Sequence, residues 1–265
     1  MMRFHRFVPA AVFLIVTGSL LVSCTDSSNA GSQYQRKVSV TYDFGKPGKS
    51  TGAKQSCTIT GVRPPKPVRV DWQNARTKTD YFALAISWSP QHCANPRNYS
   101  RHRFQCADNR FHFVVHGLWP QSGIASDKFG HPRHCKTGPM LPMTLIKKHL
   151  CTVPGAQLMQ SQWIKHGSCA FKTPENYFSR IETLWKRLKK PHLMRVKHER
   201  MSVGQLKEMF VAANKGMLNK EHIRVWLNRR GYLREVVICY DLNYRYTACA
   251  LRGAPDSQQV KIRFH

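Results

Sequence analysis

The sequence predicts an α+β fold, in which helices flank a central, mostly antiparallel sheet that is braced by disulfide bonds. Short apolar runs typical of strands occur beside two amphipathic helical segments, without the regular alternation that builds a doubly wound parallel sheet. Eight cysteines follow Cys24, and this even number in an exported chain indicates up to four disulfides. Beyond the N-terminus the chain has no apolar run of about 18 residues, which excludes a polytopic membrane protein.

Residues 1–24 have the pattern of a secretory signal, with basic residues at Arg3 and Arg6 and an apolar stretch from Val8 to Val22. The final residues, Leu21 to Cys24, also match the lipobox of bacterial lipoproteins, in which the cysteine is lipidated. A lipid anchor at Cys24 and ordinary cleavage with release both stay open. We therefore expect an exported protein that is periplasmic, anchored to the outer membrane or extracellular.

The cysteine pattern contains no Cys-x-x-Cys pair, which argues against a zinc ribbon or a thioredoxin-like site. The shortest spans, 93–106 and 239–249, are the simplest local bridges, and the remaining connectivity is not fixed by the sequence. The cysteines expected to form disulfides are Cys57, Cys93, Cys106, Cys135, Cys151, Cys169, Cys239 and Cys249.

Residues 25–79 are polar and then rich in Lys, Gly and Pro, so we expect a flexible N-terminal extension before a catalytic domain at 80–265. Thr173-Pro174 and Ser202 with Gln205 predict the starts of two helices that end near Pro191 and Gly216. A loop is expected over 122–139, where His131 and His134 would be solvated. The predicted strands cover 81–88, 110–115, 223–227, 233–240, 244–249 and 260–264.

The chain carries 42 Lys and Arg residues against 14 Asp and Glu, a formal charge of +28. Such a charge favours a polyanionic partner, either nucleic acid, anionic lipid or acidic glycan. The basic stretch from Arg180 to Arg200 is usually a solvated helix face, and a surface that follows RNA is the alternative.

Two segments concentrate reactive side chains: FVVHGLWPQ at 113–121 and QWIKHGSC at 162–169. Two imidazoles titrate near neutrality, so one can act as a base while the other acts as an acid. A lysine supplies a compact positive charge for a phosphoryl oxygen. This set suits cleavage of RNA by its own 2′-hydroxyl, a reaction that requires no metal or other cofactor and that DNA cannot undergo. A zinc site at His112 and His116 is a weak alternative, because no third ligand follows at a recognised spacing.

The two segments resemble the active-site segments of the T2-type ribonucleases, in the right order and about 50 residues apart, and residues 80–90 resemble the first core strand of that family. The resemblance covers roughly residues 78–265. It implies that His116 is the general acid, that His166 is the general base and that Lys165 stabilises the phosphorane. Trp119 would then lie against the substrate, and we also place Gln121 and Ser161 on the substrate-binding side.

Ser161-Gln162 departs from the family pattern, which has His-Glu at these positions. Gln162 can still hydrogen-bond a phosphate oxygen, and we count it with the catalytic set, but it carries no charge. The missing carboxylate is expected to lower the pKa of the neighbouring imidazoles. The sequence thus predicts an exported, monomeric endoribonuclease that acts on single-stranded RNA through 2′,3′-cyclic phosphates to 3′-phosphates. The alternatives are a non-catalytic RNA-binding or cytotoxic protein on the same scaffold and a cationic membrane-surface protein.

Overall fold

A computed structural model describes residues 57–196, 200–250 and 252–265, and its centre is a four-stranded antiparallel sheet. The strand order is β2–β1–β5–β4, so β2 and β4 lie at the edges. A short ladder pairs β3 with β6. The strands are β1 (Tyr81–Trp88), β2 (Phe113–Gln121), β3 (Met201–Ser202), β4 (Ile223–Leu227), β5 (Leu233–Tyr240) and β6 (Gln259–Val260).

Helices of very different length surround this sheet, which confirms the α+β prediction. The longest, α7, begins where Thr173 Oγ1 accepts a hydrogen bond from the Asn176 backbone, and α8 begins at the predicted capping box of Ser202 and Gln205. None of the helices in the described ranges has the length and hydropathy of a membrane-crossing helix. The helices are α1 (Ser89–Cys93), α2 (Pro96–Arg101), α3 (Arg103–Cys106), α4 (Met143–His149), α5 (Ala156–Gln162), α6 (Ser168–Ala170), α7 (Pro174–Arg187) and α8 (Val203–Ala213).

The two faces of the sheet differ in the size of their side chains. One face buries Phe82, Leu84, Ile86 and Trp88 of β1 against the large helical core. The opposite face of β1 presents small residues, among them Ala83 and Ala85, which pack with Val237 and Cys239 and are partly covered by Trp119. Since successive strand residues point to opposite faces, the alternation in β1 separates the packed core from a shallower face. The candidate site is built on this shallower face.

β2 extends further than the sequence predicts. The sequence predicts a strand over 110–115, whereas β2 begins at Phe113 and continues through His116 and Gly117 to Gln121. Proline has no backbone N–H to donate. Pro120 is tolerated because β2 is an edge strand, which has a neighbouring strand on one side only. The predicted strand at 244–249 is reduced to a single bridge between Tyr240 and Tyr246, and the last strand to Gln259–Val260.

Four disulfides connect distant parts of the fold. The local pairs Cys93–Cys106 and Cys239–Cys249 form as expected, and the longer spans are closed by Cys135–Cys169 and Cys57–Cys151. The eight cysteines after Cys24 are therefore all paired.

Residues 57–79, the described part of the expected flexible extension, are bonded to the rest of the fold at several points. Cys57 is bonded to Cys151, and the Lys66 backbone exchanges two hydrogen bonds with the Gln157 side chain. The backbone of Asn74 pairs with that of Arg133 in both directions. Because these bonds reach residues far along the chain, their partners could not be read from the segment itself. The expected signal and tether at residues 1–56, including Cys24, lie outside the described residues.

Candidate active site

His116 lies at a bulge in the edge strand β2. Ala85 pairs with Gly117 and Ile86 with Val115, so His116 is the extra residue between two regular pairs. A bulge rotates the local side-chain direction and is common beside active sites. The His116 ring points toward β5, where its Nδ1 lies 2.7 Å from Oε1 of Glu235.

Glu235 is a carboxylate only 5% exposed beneath that ring. Burial opposes its ionisation, but the hydrogen bond and charge of His116, then Arg234 and the Ser87 hydroxyl, outweigh burial and lower the pKa of Glu235. The Ser87 hydroxyl donates to the same oxygen at 3.1 Å. An ionised carboxylate at Nδ1 selects the tautomer with Nδ1 protonated and leaves Nε2 directed away from it.

Lys165 and His166 lie on a π-helical turn, Trp163–Gly167, that continues from α5. Such wide turns occur frequently at functional sites. Gly167 is required here, since an added Cβ would come within 2.5 Å of Trp163 Cε3 and 2.9 Å of Tyr177 Cγ. The Tyr177 hydroxyl, on α7, accepts a hydrogen bond from the Leu118 backbone at 3.1 Å, so the helix that packs against this turn is tied to the strand that carries His116.

Trp119 contacts both imidazoles. Its ring centroid is 5.3 Å from that of His116 and 5.5 Å from that of His166. The indole Nε1 donates to Oε1 of Gln162 at 2.7 Å, and a Cβ at Gly117 would lie 2.0 Å from that same oxygen. The two sequence segments thus meet around one indole.

The surroundings of His166 are cationic, in contrast to those of His116. Burial is the main cause that lowers the pKa of His166 well below 6.5, and the charges of Arg133, His116, Lys165 and His134 act in the same direction. Arg133 Nη1 lies 3.2 Å from His166 Nε2, while Nδ1 is buried without a hydrogen-bond partner among the described residues. The ring is therefore held neutral.

A second group of charged residues completes the site and was missed by the sequence analysis. Asp71 Oδ2 lies 2.9 Å from Lys165 Nζ and 2.6 Å from Arg133 Nη2, and Asp71 Oδ1 lies 3.1 Å from His134 Nε2. Asp71 comes from the expected flexible extension at 25–79, and Arg133 comes from the expected loop at 122–139. Neither lies in a recognisable motif, so no signal in the sequence joins them to His166.

A family model described as the ribonuclease T2 family matches residues 79–249, which include both imidazoles, Lys165 and Trp119. The chain belongs to the ribonuclease T2 family. A probable ribonuclease from Haemophilus influenzae is 37% identical over 186 residues, which cover 67% of this chain and 63% of that protein. The match thus spans less than two thirds of that relative's length.

Solved structures of T2-like proteins share the fold. An RNase-related protein from Calystegia sepium superposes with a TM-score of 0.55 at 19% identity, over 71% of this chain and 98% of that one. RNase NT in complex with 5′-AMP gives a TM-score of 0.50 at 14% identity, over 71% and 99% of the two chains. At these identities the likeness concerns the fold alone.

The geometry of this T2 family member separates the residues singled out in the sequence into two groups. His116, Trp119, Gln162, Lys165 and His166 meet at the site. Ser161 precedes Gln162 on α5 and is half-buried. Gln162 is only 5% exposed and accepts from Trp119, so its carbonyl oxygen positions the indole.

Gln121 does not share the open side of the site. It is buried near the end of β2, and its side-chain amide donates to the Pro120 carbonyl. His131 and His134 are buried rather than solvated, because the first accepts from the Ser122 backbone and the second contacts Asp71. No group of three or more His, Cys, Asp or Glu side chains in the described ranges is arranged for a metal ion.

Proposed function

We propose that the protein is an exported endoribonuclease that cleaves single-stranded RNA by attack of the 2′-hydroxyl on the adjacent phosphodiester. The observation that supports this most strongly is the pair of imidazoles that both contact Trp119, one bonded to a carboxylate and the other surrounded by cations. Two titratable groups with opposed surroundings are suited to the acid and base roles of one reaction.

In the first step, neutral His166 takes the proton of the 2′-hydroxyl, and the 2′-oxygen forms a bond to phosphorus. Protonated His116, held through Nδ1 by Glu235, gives its proton to the 5′-oxygen as the phosphorus–oxygen bond to that oxygen breaks. Lys165 stabilises the negative charge that builds on the phosphoryl oxygens. The products are a 2′,3′-cyclic phosphate and a free 5′-hydroxyl.

In the second step, the roles of the two histidines reverse. His116, now neutral, takes a proton from water that attacks the cyclic phosphate, and His166 returns a proton to the 2′-oxygen. The product is a 3′-phosphate. Every proton is accounted for within the two imidazoles, so the scheme calls for no cofactor.

Export is supported by the N-terminal pattern and by the four disulfides, which persist in oxidising compartments. A lipid anchor at Cys24, a periplasmic, outer-membrane or extracellular destination and a monomeric state stay predictions. RNA as the partner agrees with the formal charge of +28 and with the nucleotide bound by RNase NT.

The decisive experiment incubates the purified protein with a defined oligoribonucleotide in EDTA and identifies the product ends by mass spectrometry. We expect 2′,3′-cyclic phosphate ends, and no cleavage of the same oligonucleotide carrying 2′-deoxyribose. His116→Ala and His166→Ala should each lower kcat by about 10²- to 10⁴-fold. The matched control is His192→Ala, since His192 is exposed and outside the site.

The competing function is RNA binding without catalysis, which the replacement of the family's His-Glu by Ser161-Gln162 favours. Binding of the oligoribonucleotide without any product would support it and contradict the proposed reaction. Product ends other than cyclic phosphate or 3′-phosphate would contradict the mechanism as well.

A further inference from the structure

Asp71 holds three basic side chains at the edge of the site. Its carboxylate receives a forked pair of bonds from Arg133, at 3.0 Å from Nε and 2.6 Å from Nη2. Lys165 Nζ reaches the second of the two carboxylate oxygens at 2.9 Å, and His134 Nε2 reaches the first at 3.1 Å. One anion therefore satisfies both cations that lie nearest to His166.

The position of Asp71 is fixed by its neighbours on both sides of the contact. The Trp72 ring lies under the Arg133 guanidinium at 5.0 Å and meets the Phe129 ring edge-on, with the two ring centroids 5.2 Å apart. The Asn74 backbone pairs with the Arg133 backbone at 2.9 Å in each direction. Residues 71–74 thus deliver the carboxylate from a segment upstream of the family match, which begins at residue 79.

The geometry of Arg133 matters for the proposed base. Its Nη1 lies 3.2 Å from His166 Nε2, so in the free protein the guanidinium occupies the nitrogen that would take the 2′-hydroxyl proton. A planar guanidinium with several donors matches the oxygens of a phosphate as well as those of a carboxylate. If a phosphate replaced the carboxylate, Arg133 could turn to it and leave Nε2 free.

We propose that Arg133 and Lys165 form a phosphate-binding clamp and that Asp71 is the resident anion which the RNA phosphate displaces. This proposal rests on the proposed function, because it assigns the clamp to the scissile phosphate. Asp71 then competes with substrate, and Arg133 supplies a cation that the serine at position 161 does not. The hydrogen bond from Arg133 is the largest cause that holds the pKa of Asp71 well below its usual range, despite opposition from burial. Acid pH therefore leaves the competitor ionised.

The test measures binding of inorganic phosphate by calorimetry together with KM and kcat on the oligoribonucleotide, for the purified protein and four variants. Asp71→Asn keeps the shape of the side chain and removes its charge. Arg133→Gln removes the guanidinium charge, and Arg133→Lys keeps a charge without the fork. Asp256→Asn is the matched control, because Asp256 is an exposed aspartate paired with Lys207 away from these residues.

For Asp71→Asn we expect the Kd for phosphate and the KM for RNA to fall by about 3- to 10-fold. Arg133→Gln should raise both constants by about 10-fold or more, with partial recovery in Arg133→Lys. Asp256→Asn should change neither.

If Asp71 only anchors its segment, Asp71→Asn will lower Tm and leave the phosphate Kd unchanged or raised, and the proposal is overturned. Phosphate binding is measured without turnover, so the two proposals can fail separately. If the protein cleaves RNA but its affinity for phosphate is unchanged by substitution of Asp71 and of Arg133, the clamp alone is refuted. A protein that makes no cyclic phosphate but responds to both substitutions supports the clamp and refutes the reaction.

Discussion

The two histidines of the site lie in opposite environments although each comes from a short, similar-looking segment of sequence. His116 stands on a strand bulge above the buried carboxylate of Glu235. His166 stands on a π-helical turn beside Arg133 and Lys165, with its Nδ1 buried and unpartnered among the described residues. The Trp119 indole contacts both rings.

In the proposed reaction this difference assigns the roles of two chemically identical side chains. The carboxylate of Glu235 pairs with Nδ1 of His116 and fixes its tautomer, whereas burial and nearby cations favour the neutral form of His166. In the family pattern a glutamate would precede the second histidine by four residues, whereas here position 162 is a glutamine. The carboxylate that contacts an imidazole directly is instead Glu235 on β5, beneath His116. The predictions below test whether this difference between the two histidines controls catalysis.

The largest effect is expected from removing the anion on the His116 side. Glu235→Gln keeps the size of the side chain but removes the carboxylate that pairs with Nδ1 of His116 and fixes its tautomer, so kcat should fall by about 10- to 100-fold. Steady-state pH profiles of the two proteins measure this fall in kcat.

The control for this substitution is Glu208→Gln, at an exposed glutamate paired with Lys220. A Glu235→Gln protein with unchanged kcat and an unchanged pH profile would show that the carboxylate only fills space beneath the ring.

The next effect is expected at the contact between the two sides. In Gly117→Ala the new Cβ would lie 2.0 Å from Gln162 Oε1 and 2.8 Å from Trp119 Nε1, so one of these groups must move. Displacing the indole alters the spacing of both imidazoles, and kcat should fall by about 10-fold.

Gly123→Ala is the matched control, because its nearest contact, Asp80 Oδ2 at 3.6 Å, is an ordinary van der Waals distance. Equal activity in the Gly117 and Gly123 variants would mean that the spacing around Trp119 does not matter.

A smaller loss is expected when the His166 side alone is loosened. The Cys135–Cys169 disulfide spans 34 residues. It joins the residue that follows His134 to α6, the short helix that follows the π-helical turn. Changing both cysteines to Ser should lower the free energy of unfolding by roughly 2–4 kcal/mol and reduce kcat by a few-fold at a temperature where the protein stays folded.

The matched variant changes Cys93 and Cys106, whose bridge spans 13 residues and joins α1 to α3. It should lower Tm without the loss in kcat. Identical kinetic losses in the two double variants would show that the effect is one of general stability.

The smallest change in rate, and the most specific in pH, is expected from restoring a carboxylate on the His166 side. In the proposed reaction His166 acts as a neutral base, so activity is lost as pH falls through its pKa, which burial and nearby cations lower. In Gln162→Glu the new anion favours the protonated ring and raises that pKa, so activity is lost at higher pH. The kcat above neutrality should change little.

Gln157→Glu on the same helix is the control, because Gln157 is exposed and contacts Lys66. If the pH at which activity falls on the acid side does not change in Gln162→Glu, then the side chain at position 162 has no influence on the pKa of His166.

Much of the scaffold follows from the sequence, because the relevant signals are local. The caps at Thr173 and Ser202 fix the starts of α7 and α8 through side-chain bonds to backbone three residues away. The apolar runs at 81–88 and 233–240 become β1 and β5 with the predicted bounds. The two motifs also identify both histidines and Lys165, because their residue types and order are unusual.

Only the tertiary structure decided which charges face those histidines. Glu235 reaches His116 from 119 residues away, and Asp71 reaches Lys165 from 94 residues away. Pairing of two strands and the docking of an upstream segment create these contacts, and neither leaves a pattern in the residues concerned. The sequence by itself therefore determined which groups can react, and the fold determined which of them pairs with a carboxylate and which is surrounded by cations, since these neighbours are brought near only by folding.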